Sequence, residues 1–283
     1  MFKKLLKYDF RSISGYWWII AASTLGASLI GAIALRIAIT NITDPRYELI
    51  TTLTMLVGFI SIVAVGASMA VTSILVYYRT YKNFFTDEGY LTFTLPVTRR
   101  EHLLSKTVNS LIWSAAHVLL LCVCAVIYLL IVPPSDTVIS LVAFEKIASD
   151  LASFFDSTGF FAPVFILEAI LASVISGIFG IVLINFCITV GAVVAKKHKL
   201  LASIGVYYLV NMILSLVVQV FFTIGFILSL EGFSYVMNSL ESDIAMNAIL
   251  AILFMIGILM MAAVTVAFYL FTVEKLERKL NLE

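Results

Sequence analysis

Charge, cysteine and recognisable catalytic signatures are all scarce in this chain of 283 residues. Asp, Glu, Lys and Arg fill only 12% of positions and the formal net charge is +1, whereas soluble domains carry about 25% charged residues. A balance this close to neutral gives no basis for a nucleic-acid partner, and none is expected. The three cysteines, Cys122, Cys124 and Cys187, lie inside apolar runs. They offer no disulfide framework and behave as small hydrophobes. The histidines, His102, His117 and His198, are too scattered to suggest a metal site, and His117, inside an apolar run, reads as a hydrogen-bonded structural residue. No G-x-x-x-x-G-K-[ST] phosphate loop, zincin signature, C-x-x-C or nucleophile elbow is present. No catalytic residue, cofactor or metal ligand is therefore expected on this chain.

What is abundant is apolar. Hydrophobic residues make up 62% of the sequence and the mean hydropathy is +1.09. A chain so apolar cannot hide its side chains in one core, so a bilayer must solvate much of it. Crossing a hydrocarbon core roughly 30 Å thick takes about 20 apolar residues in a helix. Six stretches qualify, at about 17–39, 49–78, 108–132, 164–195, 200–230 and 244–272. The expected fold is an all-α polytopic membrane protein, a single transmembrane domain over 1–283. The fourth stretch would extend about 48 Å at the rise of a regular helix, with Gly177 and Gly180 as natural places for a bend.

Basic residues are distributed unevenly between the connections. Fifteen fall on one side: Lys3 to Arg11, Arg79 to Lys106, Lys196 to Lys199 and Lys275 to Lys279 bound those groups. The other side has Arg46 and Lys146. Since Lys and Arg are retained in the cytoplasm, the fifteen-residue side and both chain ends are expected inside. No cleavable leader is expected, because the first apolar stretch is long and lacks a small-residue cleavage site. Residues 1–14 place Phe2, Leu5, Leu6, Phe10 and Ile13 at helical spacing with Lys3, Lys4, Lys7 and Arg11 on another face. That pattern predicts an amphipathic interfacial helix at the inner leaflet. In the outer loop, 133–163, a second amphipathic helix is expected over Val138–Phe155. Pro133 and Pro134 stop the preceding helix and Pro163 opens the next.

Segment 79–106 is the one long inner connection. Its mixture of rings and acids, with Phe84, Phe85, Asp87, Glu88 and Tyr90 in close succession, suggests a protein-binding surface. A short helix is expected near Lys82–Leu95, with a break at Pro96 and a new helix from about Arg99. Thr98 followed three residues later by Glu101 has the capping-box arrangement. In Glu88, Gly89, Leu91, Leu95, Pro96, Val97, Thr98, Arg99, Leu103, Leu104, Ser105 and Lys106 the chain resembles the type-2 ABC exporter permeases. It departs from them at Tyr90, where many relatives have Thr, and in its short loop at Glu231–Asp243.

The resemblance implies a six-helix permease subunit whose coupling helix sits in a groove of a separate cytosolic ABC ATPase. ATP and Mg would be bound by that ATPase and not by this chain. Phe84, Phe85, Asp87, Glu88, Gly89, Tyr90, Leu91, Leu95 and Pro96 are the candidate docking residues. A second permease half, identical or not, would complete the pathway in a multi-pass protein surrounded by the lipids of a bacterial plasma membrane. The apolar interior favours an amphipathic or lipophilic cargo: a hydrophobic peptide, a drug or a lipid. A second reading from a different class is a non-transporting anchor, sensor or assembly factor that recruits a cytosolic partner through the same segment.

Ionisable residues within spans are costly and mark function by default. Arg36 and Glu168 lie at similar depth near the outer ends of the first and fourth stretches, as an ion pair, as a polar lip on an outward exit, or as two independently snorkelling groups. Asn185, Asn211 and Gln219 are deeper amides, read as interhelical hydrogen-bonding groups or as pathway lining. Gly26, Gly31, Gly58, Gly66 and Ala67, and the i, i+4 series Ala172, Ser176 and Gly180, are expected to allow close helix approach.

Overall fold

The computed structural model describes residues 2–42, 44–86, 88–89, 94, 96–132, 139–195, 198–239 and 243–278. Among these there is no strand. Seven helices follow in chain order: α1 (Phe2–Asn41), α2 (Glu48–Phe85), α3 (Arg99–Ile131), α4 (Ile139–Thr158), α5 (Ala162–Val194), α6 (Lys199–Ser239) and α7 (Asp243–Arg278). Short 3₁₀ turns at Pro45–Tyr47 and Gly159–Phe161 precede α2 and α5. Six helices are long and apolar enough to cross a membrane, one for each stretch expected from the sequence. α4 lies in the connection between the third and fourth spans, where the sequence leads one to expect an amphipathic helix.

Several boundaries differ from expectation. Residues 1–14 do not form an element of their own, because α1 runs unbroken for 40 residues into the first span. Nothing in the sequence interrupts it, and its Asp9 and Ile13 are buried along with Trp17 of the span. α2 likewise continues past residue 78 to Phe85, absorbing the start of the helix expected near Lys82–Leu95; residues 87, 90–93 and 95 lie outside the described residues. α6 remains helical to Ser239, so most of the expected loop at 231–243 is helix. α5 is continuous through Gly177 and Gly180.

The chain divides into two compact units: Met1–Thr80 with Leu104–Asp150, and Tyr81–Leu103 with Leu151–Glu283. In the first, contacts fix the helix directions. Asp9 meets Lys106, Trp17 meets Trp113 at 5.2 Å, and the Arg36 guanidinium reaches the Ile131 carbonyl at 3.5 Å. Progress along α1 thus matches progress along α3, and the two are parallel. Ser61 meets Tyr128 and Ser68 meets His117, so α2 runs antiparallel to α3. Ile13, Trp17, Ala21, Val76, Trp113 and Leu120 form its small buried core, and Phe10 stacks on Trp113 at 4.6 Å.

The second unit repeats this order of directions. Phe165 meets Phe254, Phe179 meets Phe268 and Phe186 meets Phe271, so α5 and α7 are parallel. α6 turns back from α5 at Gly191 and Ser203, where the two backbones almost touch. Ile19, Leu119, Leu209, Leu253 and many other large apolar side chains are more than half exposed, which suits a lipid solvent in which helices need not bury every apolar face.

Candidate functional site

The segment singled out in the sequence begins as the last turns of α2. Phe84 and Phe85 stand edge to face at 6.1 Å, and Tyr81 is tilted against Phe85 at 6.2 Å. Both phenylalanines are buried. Neither ring is exposed. The chain then folds back on the helix end, where the Gly89 amide donates to the Thr86 carbonyl at 2.7 Å. A Cβ at Gly89 would lie 2.6 Å from the Phe84 carbonyl oxygen, closer than real contacts permit. Glu88, exposed beside it, pairs with Lys82 at 2.7 Å. The acid–glycine pair thus has a local structural reason: a side chain that pins the turn and a residue small enough to close it.

The far end of the segment is capped as the sequence predicts. The Thr98 amide donates to Glu101 Oε2 at 3.2 Å, and the Glu101 amide donates to Thr98 Oγ1 at 3.3 Å, which satisfies two amides that a helix start leaves unpaired. The next residue makes a contact the sequence did not suggest. Arg99 Nη1 donates to the carbonyls of Leu276 and Glu277 at the end of α7. Arg100 Nε pairs with Glu277 Oε1 at 3.3 Å, and the Tyr269 hydroxyl donates to the Arg100 carbonyl at 3.4 Å. A guanidinium on the last carbonyls of a helix satisfies orphan acceptors and complements the negative end of its dipole. The start of α3 is thereby fastened to the C-terminal end of α7 within one unit. Of the other docking candidates, Pro96 is exposed, and Asp87, Tyr90, Leu91 and Leu95 lie outside the described residues.

The remaining candidates are dispersed. Asn185 is buried in α5, whereas Asn211 donates to the Tyr207 carbonyl of its own helix at 2.9 Å and Gln219 is exposed. Arg36 belongs to the first unit and Glu168 to the second. Glu168 is 4% exposed, and its Oε2 has no hydrogen-bond partner among the described residues. A double-mutant cycle of Arg36→Gln and Glu168→Gln, read by thermal unfolding in detergent, tests the pair expected from the sequence. An ion pair predicts a coupling of about 0.5–3 kcal/mol, and additive effects mean that the two groups act separately.

His117 is fully buried between two hydroxyls of α2, with Nε2 2.9 Å from Ser68 Oγ and Nδ1 3.0 Å from Thr72 Oγ1. Ser68 Oγ also lies 2.6 Å from the Val65 carbonyl, and the direction of each bond to the ring follows the imidazole tautomer. Both ring nitrogens are occupied in a structural clamp between α2 and α3, the role expected for this histidine.

The polar feature that sequence reading missed lies where α1 and α3 begin. Asp9 accepts from Ser105 Oγ at 2.8 Å and from Lys106 Nζ. All three residues are buried. Asp9 interrupts an otherwise basic and apolar segment, and that lone acid is the signal that a partner awaited it.

Among the described residues no group of His, Cys, Asp and Glu is placed to hold a metal. Compared with family models, curated proteins and solved structures, the chain matches none.

Proposed function

We propose that this chain is the membrane-spanning permease subunit of an ATP-driven exporter of the type-2 ABC kind. Segment 79–106 faces the cytoplasm with both chain ends and docks on a separate ATPase, which binds ATP and Mg and hydrolyses the nucleotide. A second permease half completes the pathway in a bacterial plasma membrane, and the cargo is amphipathic or lipophilic.

The observation that carries this reading is the clasp of Arg99 and Arg100 on the end of α7. Chain continuity joins the segment to α2 and α3, and the clasp adds α7. A partner that displaces the segment therefore pulls on three spans at once, which is what a coupling element must do. Phe84 and Phe85 are buried and Glu88 and Pro96 exposed, which supports docking through the latter two.

The test is a gentle-detergent purification of the full chain from its native membranes, with copurifying proteins identified by mass spectrometry. A stoichiometric Walker-type ATPase is expected, reduced severalfold by Glu88→Lys while insertion and yield of the chain are kept. A preparation free of any ATPase, repeated in lipid nanodiscs, overturns the permease reading, and a stoichiometric non-ATPase partner would replace it with recruitment by a membrane anchor.

A further inference from the structure

α5 by itself uses up the thickness of a bilayer. Its 33 residues extend about 50 Å at the rise of a regular helix, against about 40–45 Å for a bilayer with its headgroups. The chain that precedes α5 therefore meets it at a membrane surface. Only the turn Gly159–Phe161 separates α4 from α5. Gly159 has φ +51°, the one positive φ among the described residues, a conformation that residues with a side chain rarely adopt. The helix is broken there, so α4 does not simply prolong the span.

The second half of α4, Leu151–Thr158, belongs to the same unit as α5 and has two unlike faces. Leu151 and Phe155, one turn apart, are 54% and 43% exposed. Ser153, Asp156 and Ser157 fall on the opposite side of the helix and are exposed as well. Phe160, in the turn, is 85% exposed. Leu167 and Ile170 of α5 are also uncovered, so large apolar side chains stand bare on both sides of the turn. At the helix end the Ser157 and Thr158 hydroxyls both donate to the Phe154 carbonyl, at 3.1 and 2.5 Å, which keeps that acceptor satisfied out of water.

We infer that this half of α4 lies on the membrane surface, with Leu151, Phe155 and Phe160 sunk among lipid acyl chains and Ser153, Asp156 and Ser157 towards water. Two observations make lipid the occupant and not another protein. The short turn tethers these side chains to the start of a span, at the bilayer boundary, where aromatic rings are favoured and a two-faced helix lies flat. The patch is also small. At about 150–250 Å² for a whole aromatic side chain, the three together offer roughly 300 Å², well short of the about 800 Å² per partner of a stable protein interface. The inference needs no ATPase and no cargo, and it stands or falls independently of the transport reading.

Photocrosslinking of the full chain in dioleoylphosphatidylcholine nanodiscs tests it. Benzoylphenylalanine is introduced singly in place of Leu151, Phe155, Phe160, Ser153, Asp156 or Ser157. Lipid adducts are read by intact-mass spectrometry after irradiation, and chain–chain products by gel electrophoresis. Severalfold more lipid adduct is expected at 151, 155 and 160 than at 153, 156 and 157. Equal adducts on the two faces, or no adduct on either, would overturn the inference. Chain–chain products replacing lipid adducts at 151 and 155 would overturn it too, and would give the face to a second copy of the chain.

Discussion

Asp9→Asn or Lys106→Met alone is expected to destabilise the protein by about 3–5 kcal/mol, the cost of leaving one member of a buried pair without its counter-charge. The two side chains are only 10% and 6% exposed, and Ser105 occupies the second carboxylate oxygen of Asp9. Little water is present to rescale the loss. The pair links the starts of two parallel helices, beside the stacked Phe10 and Trp113, so the first turns of α1 should loosen along with it. The double variant Asp9→Leu/Lys106→Met removes both charges and should recover most of the loss, since apolar replacements of buried pairs are often neutral or stabilising. Thermal and denaturant unfolding in one detergent, with limited proteolysis of the N-terminal segment, provides the measurement. Equal, additive losses in the two single variants and the double variant would mean that the charges do not depend on each other.

Gly191→Ala should cost about 1–3 kcal/mol by overpacking, and Gly191→Leu more. The reason is local and rigid. A Cβ at residue 191 would run into the backbone N and Cα of Ser203, atoms that cannot swing aside as a side-chain tip does. Ser203 is itself fixed, its hydroxyl donating to Lys199 at 2.8 Å and toward Ile188 at 3.3 Å. Either substitution therefore pries α6 from α5 near their shared turn. Gly180→Ala is the matched control. A Cβ there meets nothing within 4 Å, and replacing a helical glycine by alanine is favourable by up to about 1 kcal/mol. Melting temperatures of the two alanine variants should move in opposite directions, and a loss at Gly180 equal to that at Gly191 would remove the close-contact explanation.

That pair of glycines also separates what was legible in the sequence from what was not. Counting small residues singles out Gly26, Gly31, Gly58, Gly66 and the series Ala172, Ser176 and Gly180. Only Gly31 and Gly58 sit where a Cβ would collide, and Gly26, Gly66 and Gly180 face open space. Gly191, the one glycine of α5 at which a Cβ would collide, belongs to no repeat. A glycine's composition is the same in both settings, and only a neighbouring helix decides whether its missing Cβ matters. The aromatic segment behaves likewise. Phe84 and Phe85 read as rings on an inner connection, yet they are the last residues of α2 and are buried.

By itself the sequence determined the six apolar helices, their order and approximate ends, a further helix between the third and fourth of them, and the Thr98–Glu101 cap. Each rests on local physics: apolar length against bilayer thickness, proline stops, and hydrogen bonds between residues three apart. Tertiary structure alone decided that Asp9 meets Lys106, that Arg99 clasps the end of α7 and that His117 bridges to Ser68 and Thr72. Those contacts span 97, 177 and up to 49 residues. In helices apolar on nearly every face, periodicity does not single out which faces meet, so long-range polar partners emerge only once the helices are packed.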